Sequence, residues 1–253
     1  MFSRSDTARY PTMQGSLRVL LDSGVEVNTV LDVGILTGTA PLIQVFPDRP
    51  HHLFEPVDLH FKQIEKNYRN INSKLHHVAL SDTEGNAYLA CRAINRDGRI
   101  THSEVVDAPV TNEELPDLVE CRTIPKCRLD TITEKEGIVN GCLLKIDVDG
   151  HEMSILRGAD ITLERASIVV IEAPLDRARL PHFFERSAYL MNKGFFLMDI
   201  VDLAYYDGVL WQVDLVFVRK DIVNNIDRLK PFETPSFTFQ KELWAPMGED
   251  AYR

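Results

Sequence analysis

The sequence predicts a doubly wound α/β fold on a mostly parallel sheet, and three observations carry that prediction. An apolar run, Val30-Leu31-Asp32-Val33, stops at Gly34 and Gly38 in the pattern Asp-x-Gly-x-x-x-Gly, which reads as a buried strand feeding a tight turn. Short apolar runs then alternate with helix-compatible segments, the rhythm of a parallel sheet with crossover helices. The next such run, His51-His52-Leu53-Phe54-Glu55, ends in an acid 23 positions after Asp32. In open α/β sheets that spacing places a carboxylate where it can accept both ribose hydroxyls of a nucleoside. No phosphate-binding Lys follows the glycine turn, and Leu36 stands between Gly34 and Gly38, so neither a P-loop nor Gly-x-Gly-x-x-Gly is present.

The 253 residues, 44% hydrophobic and 26% charged, are enough for a large core in one α/β domain or two small ones. The elements follow in order. Residues 1–12 read as a loose leader, and 13–24 form a helix with Leu17, Leu20 and Leu21 at helical spacing. Residues 29–33 are the first strand. Residues 40–46 are a short helix opened by Pro41, which a first turn tolerates. The second strand is 51–55. An amphipathic helix over 58–70 buries Leu59, Ile64 and Tyr68, and the third strand is 74–80, ending at Ser81-Asp82. Residues 84–129 break the rhythm and predict an inserted β-hairpin or pair of strands, 86–92 and 121–129, around a long polar loop at 93–119. Alternation resumes with helix 130–137, strand 142–148, helix 152–159, strand 167–173, helix 181–193 and strands 195–201 and 210–219. Only 202–208 joins the last two, too short for a crossover, so they pair antiparallel. A tail, 220–253, follows.

Net charge of −10 and the lack of a basic run argue against a nucleic-acid partner. No run approaches the ~20 apolar residues of a membrane span, and no signal peptide is seen, so a cytoplasmic protein is expected. The four cysteines, Cys91, Cys121, Cys127 and Cys142, form no C-x-x-C pair, so free thiols in a reducing compartment are expected. Oligomeric state is not legible.

Acids gather at predicted strand ends: Asp147 and Asp149 after the fourth strand and Glu172 in the fifth, with His151 and Glu152 close by. Such an edge suits a general base or a hard cation. Asp147 can equally position the loop, and Glu152 reads as a first-turn residue favoured by the helix dipole. His151 is a candidate proton acceptor. Lys145, a charge within a buried strand, calls for an acidic partner and shares a strand face with Asp147. With Ala173-Pro174 after Glu172 offering no second side-chain ligand, this favours a metal-free site over one holding Mg²⁺. Ser81-Asp82 is good turn chemistry, yet a carboxylate there can accept from an exocyclic amine such as adenine's. His51-His52 and His76-His77 point to opposite faces and read as structural.

Cys127-Arg128-Leu129-Asp130-Thr131-Ile132, Leu143-Leu144-Lys145-Ile146-Asp147-Val148-Asp149-Gly150-His151-Glu152 and Leu156-Arg157-Gly158-Ala159 together resemble the FkbM family of S-adenosylmethionine-dependent methyltransferases. The resemblance runs from about 29 to 219, the span expected for the methyltransferase domain. It departs from the family where Ile35-Leu36-Thr37 replaces the middle of Asp-x-Gly-Ala-Asn-x-Gly, and where Asp149 stands for a commoner Glu. It implies a Rossmann-like seven-stranded methyltransferase sheet with an antiparallel last strand. It implies O-methylation of a hydroxyl on a small-molecule or carbohydrate acceptor, such as a sugar or secondary metabolite. By matching position, Asp32, Gly34 and Gly38 line the methionine and ribose end, Glu55 holds the ribose, and Ser81 and Asp82 lie by the adenine. A nucleotide-binding oxidoreductase and a non-catalytic nucleoside-binding module on the same fold stay open as alternatives.

Overall fold

The computed structural model describes residues 11–93, 100, 102–176 and 178–230. Residues 1–10 of the expected 1–12 leader, most of the C-terminal tail, and part of the 93–119 loop lie outside them. Eleven strands are described. They are β1 (Thr29–Val33), β2 (His51–Phe54), β3 (Ser73–His76), β4 (Ala79–Leu80), β5 (Gly85–Arg92), β6 (His102–Val106), β7 (Leu118–Cys127), β8 (Cys142–Ile146), β9 (Ala166–Pro174), β10 (Phe195–Tyr206) and β11 (Val209–Arg219). The α-helices are α1 (Met13–Asp22), α2 (Ala40–Val45), α3 (Phe61–Asn67), α4 (Leu129–Lys135), α5 (Glu152–Arg157), α6 (Asp160–Arg165), α7 (Leu180–Asn192) and α8 (Lys220–Asn225).

Seven strands form one sheet in the order β10-β11-β9-β8-β1-β2-β3. Five are joined in parallel, and β11 runs antiparallel to both β9 and β10. The chain winds outward from β1 to β3, then returns to β8 on the other flank of β1. That reversal opens a crevice at the carboxyl ends of β1 and β8. Period-2 alternation sorts the core into two layers. Leu31, Val33, Leu144, Ile146, Val169 and Ile171 pack on one face with Leu129, Ile155, Leu156 and Leu190. Val30, Leu143, Ile168, Val170 and Val216 pack on the other with Leu17, Leu20, Leu42 and Val223. Each fully buried aliphatic side chain contributes about 1.5–3 kcal/mol. Among the described residues no helix is long and apolar enough to cross a membrane.

Several expectations change. The 74–80 run is two strands: β3 ends at His76, and Ala79–Leu80 joins a second, four-stranded sheet of order β4-β7-β5-β6. An apolar run registers burial but not which sheet buries it. The inserted region is therefore a sheet rather than a hairpin. Its third strand, β6, lies within the segment expected as a polar loop and is only half-buried along most of its length. The 58–70 helix starts as a 3₁₀ turn, Asp58–His60, before α3. The tighter winding moves Leu59 off the buried face, leaving it 65% exposed, while Ile64 and Tyr68 are buried. Helix α6 was not expected at all. The β10–β11 hairpin closes on Asp207-Gly208, both left-handed at φ 48° and 78°, the two-residue turn that matches strand twist.

Candidate active site

A cavity of about 590 Å³ occupies the crevice, within the size range of small-molecule sites. Its walls come from the β1 turn (Gly34, Leu36, Gly38), the end of β2 (Glu55), the end of β8 and its loop (Lys145, Asp147, Asp149, His151), Glu172 of β9, and Gln212 and Asp214 of β11. The inserted sheet closes one side through Leu89, His102, Ser103 and Val105.

The cofactor end is a set of fixed acceptors. Glu55 is buried, and each of its oxygens accepts a backbone hydrogen bond at 2.9 Å, Oε2 from the Leu36 N–H and Oε1 from the Val57 N–H. Both oxygens keep further lone pairs. Burial, partly offset by those bonds, pushes this carboxyl up to about 7. Asp32 is fully buried one step behind the cavity wall. Thr39 N–H donates to the Tyr68 hydroxyl at 3.1 Å, which in turn donates to Asp32 Oδ2 at 3.1 Å. Lys145 Nζ lies 3.8 Å from Asp32 Oδ1, which has no hydrogen-bond partner among the described residues. Burial raises the Asp32 pKa, and Lys145 opposes the rise.

The glycines divide by cause. A Cβ on Gly34, whose φ is +75°, would lie 1.8 Å from the Asp147 carbonyl oxygen. Its first duty is thus to let β1 and β8 approach, not to clear space for a ligand. At Gly38 a Cβ would meet the Tyr68 ring at 3.0 Å.

Ser81 and Asp82 are not among the residues lining the cavity. Ser81 is buried and its hydroxyl donates to Asp82 Oδ1 at 3.3 Å. His151 Nε2 lies 3.1 Å from that hydroxyl, so His151, half-buried on the cavity wall, ties the β8 loop to the end of β4. Burial lowers the His151 pKa and keeps the ring neutral near pH 7.

The three acids expected together are brought together. Lys145 is buried and pairs with Asp147 Oδ2 at 2.8 Å. Burial would raise Asp147, but Lys145 and a hydrogen bond from Glu172 outweigh it and hold the carboxyl below the usual range. Burial raises the Asp149 pKa, opposed by His102 and Ser103 of the inserted sheet, which line the same cavity. Glu152 is a first-turn residue as expected, and it forms a buried ion pair with Arg186 at 2.6 Å. Among the described residues no group of three or more His, Cys, Asp or Glu side chains has the arrangement to hold a metal ion.

Sequence reasoning missed Asp214, Arg186 and the hydroxyl of Tyr68. The signal for Asp214 was present: an acid inside the otherwise apolar Val213-Asp214-Leu215-Val216-Phe217. It also missed why two resemblance motifs exist. Asp130 caps α6 by accepting from Thr162 N–H at 2.9 Å and Ile161 N–H at 3.2 Å. Gly158 lets α5 end against β4, where a Cβ would lie 2.0 Å from the Ser81 carbonyl oxygen.

The methyltransferase FkbM domain matches residues 42–197, more than half of the chain. No protein of curated function matches. Three of the solved structures similar in fold can be compared with the chain. The precorrin-6y C5,15-methyltransferase of Geobacter metallireducens GS-15 is 14% identical (85% of this chain, 93% of that one, TM-score 0.40). A putative rRNA-methylase of Clostridium thermocellum is 9% identical (84% and 99%, 0.41). A fibrillarin pre-rRNA processing protein of Methanococcus jannaschii is 13% identical (77% and 67%, 0.43). Two of the three are named for ribosomal RNA. The expected exclusion of a nucleic-acid partner is withdrawn. Its physical basis was weak, because a charge of −10 summed over the chain does not describe the groups around one cleft.

Proposed function

The chain belongs to the FkbM methyltransferase family and uses S-adenosylmethionine, and we propose that it methylates a hydroxyl oxygen on a sugar ring, with Asp147 taking the proton. The observation that carries this reading is one cavity walled at one end by an oriented ribose-type acceptor, Glu55, and at the other by an ionised carboxylate paired with a buried lysine. We read residues 29–219 as the catalytic unit and 84–129 as its insertion.

The residues present suit the cofactor. Glu55, its oxygens already aimed by two N–H groups, would accept the ribose hydroxyls. Gly34 and Gly38 shape the turn that would meet the methionine end. Ser81 and Asp82 would border the adenine side, with His151 holding Ser81 in place. When bound, the cofactor supplies a methyl group on a positively charged sulfur, which leaves as a neutral thioether with the electron pair of the broken bond.

The protein's own share is alignment and proton removal. A hydroxyl oxygen must lose its proton as it gains the methyl group. Asp147 stays ionised beside Lys145 and lines the cavity, so it meets that need. Lys145 places positive charge at the same edge, where negative charge grows on the attacking oxygen. Asp149 lines the same cavity beside His102 and Ser103 of the inserted sheet.

The test is incubation with methyl-labelled S-adenosylmethionine and a panel of free sugars, glycosides and RNA, with mass spectrometry of the products. A methyl ether on a sugar hydroxyl, lost in Asp147→Asn, is expected. Methyl on nitrogen or carbon, or an undiminished rate in Asp147→Asn, would refute the reading.

A further inference from the structure

Asp147 and Glu172 stand side by side at the ends of neighbouring β8 and β9, one residue past the paired Ile146 and Ile171, and both line the cavity. Two ionised carboxylates so placed repel, and neither can offer the other a hydrogen. A proton held by one of them relieves that repulsion, and their surroundings decide which. Lys145 sits 2.8 Å from Asp147 Oδ2, so the charge belongs on Asp147. Glu172 is faced by acids on several sides: Asp214 directly opposite on β11, Asp149 in the β8 loop and Glu152 on α5. The nearby cation on α7, Arg186, donates to the main-chain carbonyl of Glu172 at 2.9 Å and to Glu152 Oε2 at 2.6 Å.

We propose that Glu172 keeps its carboxyl proton at neutral pH and donates it to Asp147, fixing that carboxylate against the cavity with a lone pair left for the acceptor's hydroxyl. Glu172 acts through Asp147 and is a positioning residue. The proposal rests on the reading of Asp147 as proton acceptor. The electrostatics agree in direction: burial, then the charge of Asp147, pushes Glu172 up to about 9, while Asp147 is held low. Asp214, pushed up to about 7 by burial and then by Asp147, adds a second reluctant acid to the same edge. Removing the Glu172 proton would set a second negative charge beside that of Asp147.

The experiment is a carbon-13 NMR titration of the whole chain, labelled at its aspartate and glutamate carboxyls, for wild type, Glu172→Gln and Glu172→Ala. The glutamate signal absent from Glu172→Gln should titrate well above neutrality, towards 9. The Gln amide still offers an N–H to Asp147, so the Asp147 midpoint should stay in place there and rise in Glu172→Ala. A Glu172 signal that titrates with ordinary surface glutamates overturns the proposal, as does an Asp147 midpoint that moves equally in both variants. If Glu172→Ala does not fold, the wild-type signal alone decides between these outcomes. Calorimetry with S-adenosylmethionine on the same samples separates this claim from the broader reading. Cofactor binding with an ordinary Glu172 titration sinks only the proton-bearing pair, whereas a wild type that binds no cofactor sinks the broader reading.

Discussion

The two flanks of the sheet's carboxyl edge treat their acids in opposite ways. On the β1–β2 flank each carboxylate has its own donors: Glu55 two backbone N–H groups, Asp32 the hydroxyl of Tyr68. On the β8–β9–β11 flank, Asp147 and Asp214 share one nearby ammonium, that of Lys145, and Glu172 stands beside Asp147 with no cation of its own charge-paired to it among the described residues. Dedicated donors hold a group still, which suits a site that must present the same acceptors to each incoming ligand. Shared charge leaves protons in competition, which suits a site that must take one up. Lys145 spans the two flanks, 2.8 Å from Asp147 and 3.8 Å from Asp32, directly across from Asp32 in the β1–β8 register.

The largest expected effect strikes the joint between the flanks. Gly34→Ala should destabilise the protein by about 4 kcal/mol or more, since it adds left-handed strain to a collision with backbone that has nowhere to go. Urea denaturation measures it. A stable variant that merely fails to bind cofactor would mean instead that Gly34 clears ligand space.

Gly34 shows what the sequence could and could not reveal. The glycine turn, the acid after β2 and the acids after β8 were legible, because strand ends and turn residues mark their own positions along the chain. Seven strands and the antiparallel return of β11 were legible from run length and loop length. What Gly34 faces was not, because its neighbour is Asp147, 113 positions later. The same holds for Asp130, whose cap on α6 makes a tertiary fastening out of a residue that resembles a site motif. The second sheet was blurred because β6 carries little buried apolar surface, and Leu59 misled because a 3₁₀ turn shifts helical phase.

A pair of substitutions should separate the flanks functionally. Asp147→Asn should slow methyl transfer by about 10²–10⁴-fold, the usual worth of a positioned base, and leave cofactor affinity intact. Glu55→Ala should do the converse, weakening S-adenosylmethionine binding by about 1–3 kcal/mol through loss of a charge-assisted acceptor. Calorimetry and single-turnover rates read the two separately. Equal losses of affinity in both variants would dissolve the distinction between the flanks.

A smaller effect concerns pH. Glu172 binds its proton more tightly folded, with a pKa near 9, than unfolded, near 4.5. Its contribution to stability is therefore complete below about pH 4.5 and is lost as pH rises towards 9. Glu55, raised to about 7, adds a drift of the same sign over a narrower window. Denaturation midpoints should fall across this range in wild type and fall less steeply in Glu172→Gln. Parallel curves for the two proteins would place the tightly held proton elsewhere.

The smallest expected effect lies on the cofactor flank, at the one residue of the β1 turn that breaks its own conformational rule. Leu36 has φ 52°, in the left-handed region where asparagine is enriched and a branched apolar side chain is strained. The FkbM pattern resembled here carries Asn at this position. Leu36 is 50% exposed at the cavity wall, so its side chain recovers little by burial. The conformation persists because the Leu36 N–H is committed to Glu55 Oε2 at 2.9 Å, and turning the peptide would leave that buried oxygen short of a donor. Leu36→Asn keeps the N–H and relieves the strain, so it should stabilise the free protein by about 0.5–1 kcal/mol, at the low end of the cost of such backbone strain. Leu36→Gly should gain less, because glycine also loosens the unfolded chain. Denaturation of the free protein measures the gain, and calorimetry should find S-adenosylmethionine affinity unchanged in both. If affinity falls while stability rises, the Leu36 side chain packs on the bound cofactor, and the strain is retained for the contact it places there.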